Sequence, residues 1–307
     1  NIIGKIHLGL RVKPGDPACD EALYGLGFSE AHPHLGKVVS GLRGGHDQYG
    51  RYLRERGVYE RFRRDYEMRR EPEKLHTYTA PSVLSEEDYH DAFISRVTEQ
   101  WIRSYERDEP FFCWCNWGGP HSPWDAPGHY ATMYDPADVE PAVDDPMERA
   151  AAALRERRDD TMQRVTPDAQ RRCRANYYGM INVIDDGIGG IVKALEEKGM
   201  LENTIVIYTS DHGEMLFEHG FHGKSTMYDE AAKVPLIVHW PTRFRQGIAS
   251  AALISLLDVT ATIMDVAGAD PLPVCHGRSL LPLLENADEE GRDLVFSELG
   301  PQAGGPM

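Results

Sequence analysis

Short and almost continuously apolar segments alternate with helical patterns along this chain, and this alternation restricts the fold more than any other feature. Three such segments have the length and composition of buried strands: PFFCWCNW, NTIVIYTS and KVPLIVHWP. Long helical patterns precede, separate and follow them at residues 85–107, 177–199 and 254–268, respectively. Strands that are apolar on both faces belong to sheets covered by helices on both sides. The sequence therefore predicts an α/β fold around a mostly parallel sheet.

The length of the chain, 307 residues, suits one large α/β domain and part of a second. Residues 1–80 are rich in Gly, Pro, Arg and Tyr and lack periodicity, which predicts long loops with short helices. We expect Ser85 to cap the first long helix and Gly199 to close the second. The chain begins at Asn1, within ordered-looking sequence and without a visible signal peptide, so we expect a fragment.

Charge and cysteine content argue against several classes of function. The formal net charge is −16, which disfavours binding to nucleic acid or to an anionic membrane. No apolar run approaches the ~20 residues that a membrane-spanning helix needs. No CxxC pair occurs, so the sequence indicates neither a disulfide framework nor a zinc knuckle. The five cysteines are Cys19, Cys113, Cys115, Cys173 and Cys275.

Two of the predicted strands end in polar residues that can do chemistry. His121 follows PFFCWCNW, and Asp211 with His212 follows NTIVIYTS. In open α/β sheets, ligands bind beyond the carboxyl ends of the strands. A carboxylate and an imidazole side by side suit a divalent cation. The alternative is that Asp211 caps the next helix while His212 packs.

Basic residues near these strand ends are candidates for binding an anion. Lys224, in the segment GKS, is a compact cation for a substrate oxygen, or else a solvated surface lysine. Lys5 and His7 alternate in GKIHLG and would point to the same side of a strand end, offering a cation and a titratable base. His121 lies in the rigid loop GGPHSPW and is a candidate general acid.

Other polar residues are interpreted as structural. Glu218, His219 and His222 are ligands by type but lack any zinc spacing, and the neighbouring glycines predict a turning loop with the histidines on its surface. Asp185 and Asp186 project about 100° apart on a helix and predict a helix face. The GIGG run at 187–190 lies within that helix and lacks the strand–turn context of a phosphate loop.

Together these segments resemble the sulfatase family of the alkaline phosphatase superfamily. SDHGEMLFEHGFHGKSTMYDEAAKVPLIVHWP is similar to the family's later metal-and-lysine region, and GKIHLG to its GKWHLG element, with Ile6 in place of an aromatic residue. WGGPHSPW resembles the histidine loop after a central strand. LLDVTATIMDVAG and HGRSLLPLL resemble the segments that close the large domain. The elements follow one another in the family's order.

The resemblance implies a fold and a division into domains. The fold would be an alkaline-phosphatase-like three-layer α/β/α sandwich around a mostly parallel central sheet. Residues 1–290 would form the large catalytic domain without its N-terminal part. Residues 291–307 would begin a smaller, truncated C-terminal domain.

The resemblance also implies roles for the candidate residues. Asp211 and His212 would be two ligands of a divalent metal, Ca²⁺ in the first place. Asn often stands at the position of His212, and an imidazole there leaves Mn²⁺ or Zn²⁺ open, with Mg²⁺ as a further alternative. Lys224 and His121 would contact sulfate oxygens, and His121 would also protonate the leaving alcohol. Lys5 and His7 would flank the nucleophile, with His7 as a base.

One departure from the family's pattern concerns the nucleophile. In the family it is a cysteine in C-x-P/A-x-R, converted to formylglycine, and none of the five cysteines has that setting. Cys275 comes nearest, with Arg278 three positions on, but Gly277 replaces proline. The family's early pair of Asp ligands is absent too. We expect both elements upstream of residue 1, and we expect the 307-residue chain alone not to hydrolyse sulfate esters.

Three functions are consistent with these residues. The leading hypothesis is a sulfuric ester hydrolase acting on a sulfated small molecule or sulfated carbohydrate. The alternatives are a phosphonate monoester hydrolase or phosphodiesterase of the same superfamily, and a non-catalytic binding protein on the same scaffold. Because many relatives are exported, the resemblance favours a periplasmic or secreted location. Oligomeric state is left open.

Overall fold

The computed structural model describes residues 1–6, 14–42, 44–69, 78–143, 155–156, 158, 165–286 and 291–298. The chain divides into two compact units. The first unit comprises residues 1–198 and 216–222, and the second comprises residues 199–215 and 223–307. No helix among the described residues is long and apolar enough to cross a membrane.

Within the described part of the first unit, three parallel strands form a sheet in the order β2–β1–β3. Strand β1 (Ile2–Lys5) lies in the middle, between β2 (Ala31–His34) and β3 (Trp114–Asn116). Lys5 is level with His34 across the β1–β2 pair. The parallel arrangement places the carboxyl ends of all three strands at one edge, which carries polar residues.

Residues 1–80 contain more regular structure than the composition predicts. Besides β1 and β2, the described part of this range forms helices α1 (Pro17–Gly25), α2 (Lys37–Leu42), α3 (Gln48–Glu55) and α4 (Tyr59–Arg69). The carboxylates of Asp16 and Asp47 cap α1 and α3 by accepting backbone N–H bonds. The prediction of short helices is confirmed. Strand β2 was missed, whereas β1 ends at Lys5, where the alternation of Lys5 and His7 suggests a strand end.

Two long helices complete the first unit. Helix α5 (His90–Ser104) begins five residues after Ser85. The hydroxyl of Ser85 instead accepts the N–H of Asp88, 3.1 Å away, and so closes a separate turn ahead of the helix. Helix α6 (Pro167–Glu197) starts at the N-cap Thr166 and is followed by Gly199 with φ +66°. This left-handed glycine is the predicted stop.

Aromatic side chains are prominent in two buried clusters of the first unit. One cluster joins α3, α4 and α5 and includes Tyr49, Phe62 and Tyr66. A second cluster joins α6 to the segment around Trp124 and to Phe217. A short 3₁₀ helix, Gly128–Thr132, packs beside α6.

The second unit is built around an antiparallel pair of strands. Strand β4 (Val206–Thr209) pairs with β5 (Leu236–His239). A 3₁₀ turn, Leu201–Asn203, precedes β4, and the short helix α7 (Asp229–Ala232) precedes β5. Helices α8 (Leu256–Val266) and α9 (Leu281–Glu285) follow.

The start of α8 anchors the later part of the second unit. Ser255 and Asp258 form a reciprocal capping box. The buried carboxylate of Asp258 also accepts the backbone N–H of Arg278 at 2.7 Å and the guanidinium of Arg292. Asp258 thereby ties residues 278 and 292 to the helix.

Candidate active site

Three of the predicted site residues cluster in the second unit, just after β4. The Nζ atom of Lys224 lies 2.6 Å from Nε2 of His212, and Asp211 Oδ2 lies 3.5 Å from the same nitrogen. His212 Nδ1 lies 2.7 Å from the carbonyl oxygen of Gly213. The tautomer that satisfies both contacts carries its proton on Nδ1, so Nε2 presents a lone pair to the ammonium.

Backbone contacts hold this turn in place. The N–H of Gly213 donates to the carbonyl of Ala231 in α7, at 2.9 Å. A Cβ on Gly213 would lie 1.9 Å from the carbonyl oxygen of Glu230, so only glycine allows this approach. The N–H of Met215 donates to the carbonyl of Gly223 at 2.9 Å, which brings Lys224 back to His212.

Residues 216–222 lie between these anchors along the chain and form part of the first unit. Phe217 packs edge-to-face on Trp124, with ring centroids 5.8 Å apart. Glu218 forms an ion pair of 2.7 Å with Arg174, and its other oxygen accepts the N–H of Val143. Glu218 therefore stabilises the loop, in agreement with the structural interpretation of this segment.

The same loop has left-handed backbone at several non-glycine residues. His219 has φ +54°, and Leu216 and Phe217 are also positive. The N–H of His219 donates to the carbonyl of Val143 at 2.7 Å. His219 and His222 are half-buried, not fully on the surface as the glycines predicted.

Asp211 and His212 are placed so that both could bind one metal ion, together with further ligands. Asp211 is largely exposed, at 81 %, and its Oδ2 atom is near enough to His212 Nε2 for both to bind one cation. The Lys224 ammonium faces the same nitrogen. Among the residues described, no three His, Cys, Asp or Glu side chains form a group that could hold a metal ion. Further ligands would be required.

The alternative in which Asp211 caps a helix is not observed, since residues 211–215 are not helical.

Lys5 and His121 belong to the first unit, and His7 lies outside the described residues. The aliphatic stem of Lys5 runs past two glycines at the carboxyl edge of the parallel sheet. A Cβ on Gly36 would lie 3.0 Å from Lys5 Cδ, and a Cβ on Gly118 would lie 3.7 Å from the same atom. Lys5 therefore lies beside the loop that carries His121.

The His121 loop is a turn with an exposed imidazole. The N–H of His121 donates to the carbonyl of Gly118 at 3.4 Å, and Nδ1 lies 2.6 Å from the carbonyl oxygen of Ser122. With Nδ1 bound to a carbonyl, Nε2 is the nitrogen that can exchange a proton with a bound molecule.

Sequence reasoning missed Asp91, which lies directly beneath this turn. The fully buried carboxylate of Asp91 accepts the N–H groups of Gly118 and Gly119, both at 2.9 Å. Burial opposes ionisation, but His90 and the N–H of Gly119 outweigh it and hold the pKa of Asp91 below its usual value. The sequence shows only that Asp91 is a polar residue within an amphipathic helix. That pattern does not reveal which residues its carboxylate binds.

A buried ion pair near the same edge was missed as well. Lys37 Nζ lies 2.5 Å from Asp125 Oδ1, with both side chains almost wholly buried. Tyr66 and Tyr89 donate their hydroxyls to the same carboxylate. Burial, and then the charge of Asp125, raise the pKa of both phenols well above the usual value. The satisfied network gives Lys37 a structural role.

The fold and the motifs together define the structural class of this protein. A phosphonate monoester hydrolase of Agrobacterium radiobacter has a similar structure, with a TM-score of 0.66 and 26 % identity over 80 % of this chain and 52 % of that chain. The predicted α/β fold of the alkaline phosphatase superfamily is thereby confirmed. The Sulfatase family model matches residues 44–269. This chain belongs to the sulfatase family.

Two characterised relatives show how much of a family member the chain represents. It is 30 % identical to the arylsulfatase of Clostridium perfringens, over 69 % of this chain and 46 % of that protein. It is 37 % identical to the N-acetylglucosamine-6-O-sulfatase of Bacteroides thetaiotaomicron, over 38 % of this chain and 21 % of that protein. The chain spans less than half the length of these two relatives.

Proposed function

We propose that the protein carrying this chain is a sulfuric ester hydrolase. The observation that carries the proposal is the sulfatase family match over residues 44–269, which includes His121, Asp211, His212 and Lys224. The arrangement of Lys224, His212 and Asp211 supports it, because the ammonium of Lys224 lies 2.6 Å from His212 Nε2 and Asp211 Oδ2 lies 3.5 Å from the same nitrogen.

Each residue has a role that its chemistry supports. Lys224 binds a sulfate oxygen as a point charge. His121 holds a proton at Nε2 and delivers it to the oxygen of the leaving alcohol. Lys5 binds the anion beside the His121 loop, and His7 acts as a base. These cations act against the unfavourable net charge of −16.

A divalent metal and a formylglycine complete the proposed chemistry. Asp211 and His212 would supply two metal ligands, with Ca²⁺ the first choice and Mn²⁺, Mg²⁺ or Zn²⁺ the alternatives. The metal would stabilise negative charge as a Lewis acid, while the formylglycine would supply the nucleophile. None of the five cysteines has the C-x-P/A-x-R setting, so we propose that the nucleophile lies outside these 307 residues.

The substrate class that we propose is a sulfated carbohydrate or a sulfated small molecule. One relative, identical at 37 % of the aligned positions, is named an N-acetylglucosamine-6-O-sulfatase, and another is named an arylsulfatase. An export route is consistent with such substrates, and we retain a periplasmic or secreted location as part of the proposal.

A second candidate function is phosphonate monoester hydrolysis. The structural likeness to a phosphonate monoester hydrolase, at a TM-score of 0.66, favours it. Tetrahedral sulfate and phosphonate groups both present anionic oxygens to a lysine and a metal. The residues of this chain are compatible with either.

The test compares hydrolysis of 4-nitrophenyl sulfate with that of 4-nitrophenyl phenylphosphonate by the protein as its gene encodes it. We expect a higher kcat/KM on the sulfate. Lys224→Ala should lower that value by about 100-fold, the usual effect of removing one preorganised charge-stabilising group. The exposed Lys233 lies in the same unit, and Lys233→Ala is the matched control with no expected loss.

The remaining outcomes separate the alternatives. Faster hydrolysis of the phosphonate would replace the first function by the second. Hydrolysis of neither ester would favour a non-catalytic binding protein. An undiminished rate in Lys224→Ala would remove the role assigned to this lysine.

A further inference from the structure

The carboxylate of Asp91 clamps the base of the turn that presents His121. Its Oδ1 atom accepts two consecutive backbone N–H groups, from Gly118 and Gly119, each at 2.9 Å. The carbonyl of Gly118 in turn accepts the N–H of His121, at 3.4 Å. Only Pro120 separates the second of these glycines from His121. Asp91 itself is fully buried, in the first turn of α5.

A side chain at either glycine would crowd this contact, most severely at Gly119. A Cβ on Gly119 would lie 2.4 Å from Asp91 Oδ2, and a Cβ on Gly118 would lie 3.2 Å from the ring of His90. His90 Nδ1 is itself 3.6 Å from Asp91 Oδ1. Both backbone N–H groups therefore approach the carboxylate as closely as a hydrogen bond requires.

Asp91 is one of three polar residues on a single face of α5 that contact β3 or the segment directly after it. Ser95 Oγ accepts the indole N–H of Trp117 at 2.9 Å, and Thr98 Oγ1 lies 3.2 Å from Sγ of Cys115. Positions 91, 95 and 98 are spaced by four and three, so they share one face of the helix. The helix fixes the segment that leads from the strand to His121.

We propose that Asp91 is a positioning residue that fixes the His121 turn for proton transfer to the leaving group. The inference rests on the proposed function, in which His121 protonates the leaving alcohol. Asp91 acts only through the backbone of Gly118 and Gly119 and does not touch the substrate. An ionised acceptor suits this task, because hydrogen bonds to a charged group are stronger than neutral ones.

The first experiment measures how hydrolysis depends on the leaving group. Phenolate leaves poorly without a proton, whereas 4-nitrophenolate leaves readily. In Asp91→Ala we expect kcat on phenyl sulfate to fall about tenfold or more, since a positioned general acid contributes about 100-fold or more. We expect 4-nitrophenyl sulfate hydrolysis to change less than threefold. Asp91→Asn keeps one carbonyl acceptor and should show a smaller loss.

Two comparisons separate positioning from a general structural effect. Asp185→Asn makes the same chemical change at an exposed aspartate of α6 and should leave both rates unchanged. Equal losses on both substrates in Asp91→Asn would overturn the proposal. If Asp91→Ala does not fold, Asp91→Asn alone supplies the leaving-group comparison.

The second experiment needs no activity. Amide hydrogen exchange of Gly118 and Gly119 should accelerate at least tenfold in Asp91→Asn relative to Asp185→Asn, with the rest of α5 unchanged. Unchanged exchange would overturn the positioning role. If the wild-type protein hydrolyses neither sulfate, the proposed function fails and the exchange result still decides whether Asp91 fixes the turn.

Discussion

His34 is the last residue of β2, and its imidazole is fully buried against other rings. The ring of Phe93 lies 5.4 Å away and that of His90 lies 5.7 Å away, between centroids. Burial first, and then the charge that His90 would carry, lower the pKa of His34 from 6.5 to about 3. His34 is therefore neutral in the folded protein at every moderate pH.

This burial predicts that the free energy of unfolding falls on mild acidification. Between pH 6.5 and about 3, the unfolded state binds a proton at His34 that the folded state does not. The contribution of His34 is fully present above its unfolded pKa and is lost as the pH falls, by at most about 1.4 kcal/mol per pH unit. Urea unfolding of the wild type at pH values from about 7.5 down to about 4.5 measures this slope.

His34→Gln should reduce the slope, because glutamine does not titrate. The exposed His46 of the same unit provides the control, and His46→Gln should leave the slope close to that of the wild type. Equal slopes in the wild type and in His34→Gln would contradict the assignment of a buried neutral imidazole.

At the scale of elements, the GIGG run of α6 serves helix packing. A Cβ on Gly187 would lie 2.1 Å from the hydroxyl of Ser95 in α5, so this glycine lets the two helices approach. Gly189, two positions on, has no atom within 4 Å of its Cβ position. The rejection of this run as a phosphate loop agrees with its place inside the helix.

The two glycines therefore predict opposite effects of the same substitution. Gly187→Ala should destabilise the first unit by about 1–3 kcal/mol, the usual cost of overpacking. Gly189→Ala should stabilise it by about 0.5–1 kcal/mol, because alanine has the higher helix propensity. Chemical denaturation of the two variants beside the wild type measures both changes. A stabilising Gly187→Ala would show that α5 and α6 are not in close contact there.

The sequence predicts a helix or strand correctly where a local pattern of residues determines it. The prediction fails where pairing with a distant segment determines the element. The stop of α6 at Gly199 follows from local backbone conformation and was predicted. Strand β2, with the sequence AHPH, has no apolar pattern and was missed, because its pairing with β1 defines it. Its Pro33 is compatible with an edge strand of the described sheet.

The same limit applies to the candidate site. Asp211, His212 and Lys224 lie within one short segment, and their proximity was predictable because the intervening loop returns on itself. Asp91 lies 27 positions before Gly118 along the chain. Only the packing of α5 against the segment after β3 brings them together, and no spacing rule encodes that register.

At the scale of the whole molecule, the residues with proposed roles are divided between the two units. Lys5 and His121 lie in the first, and Asp211, His212 and Lys224 lie in the second. The sequence also predicted a domain boundary at residue 290, and this boundary stays a prediction.

Metal dependence is the prediction that concerns the whole protein. In the proposed site Asp211 and His212 would supply two metal ligands, so a chelator should remove the ion and abolish hydrolysis, and a divalent cation should restore it. Elemental analysis of the purified protein should find about one equivalent of metal, lost in Asp211→Ala. Retention of full metal content in that variant would exclude Asp211 as a ligand.

The side chain at position 212 should influence which divalent cation the proposed site prefers. Imidazole nitrogen suits Mn²⁺ or Zn²⁺, whereas an amide oxygen suits Ca²⁺. His212→Asn should therefore raise the ratio of bound Ca²⁺ to bound Mn²⁺ after equilibration with both ions. His239→Asn, at the end of β5, is the matched control and should leave the ratio unchanged. An unchanged ratio in His212→Asn would place the ring of His212 outside the metal's ligands and leave it as the partner of Lys224 alone.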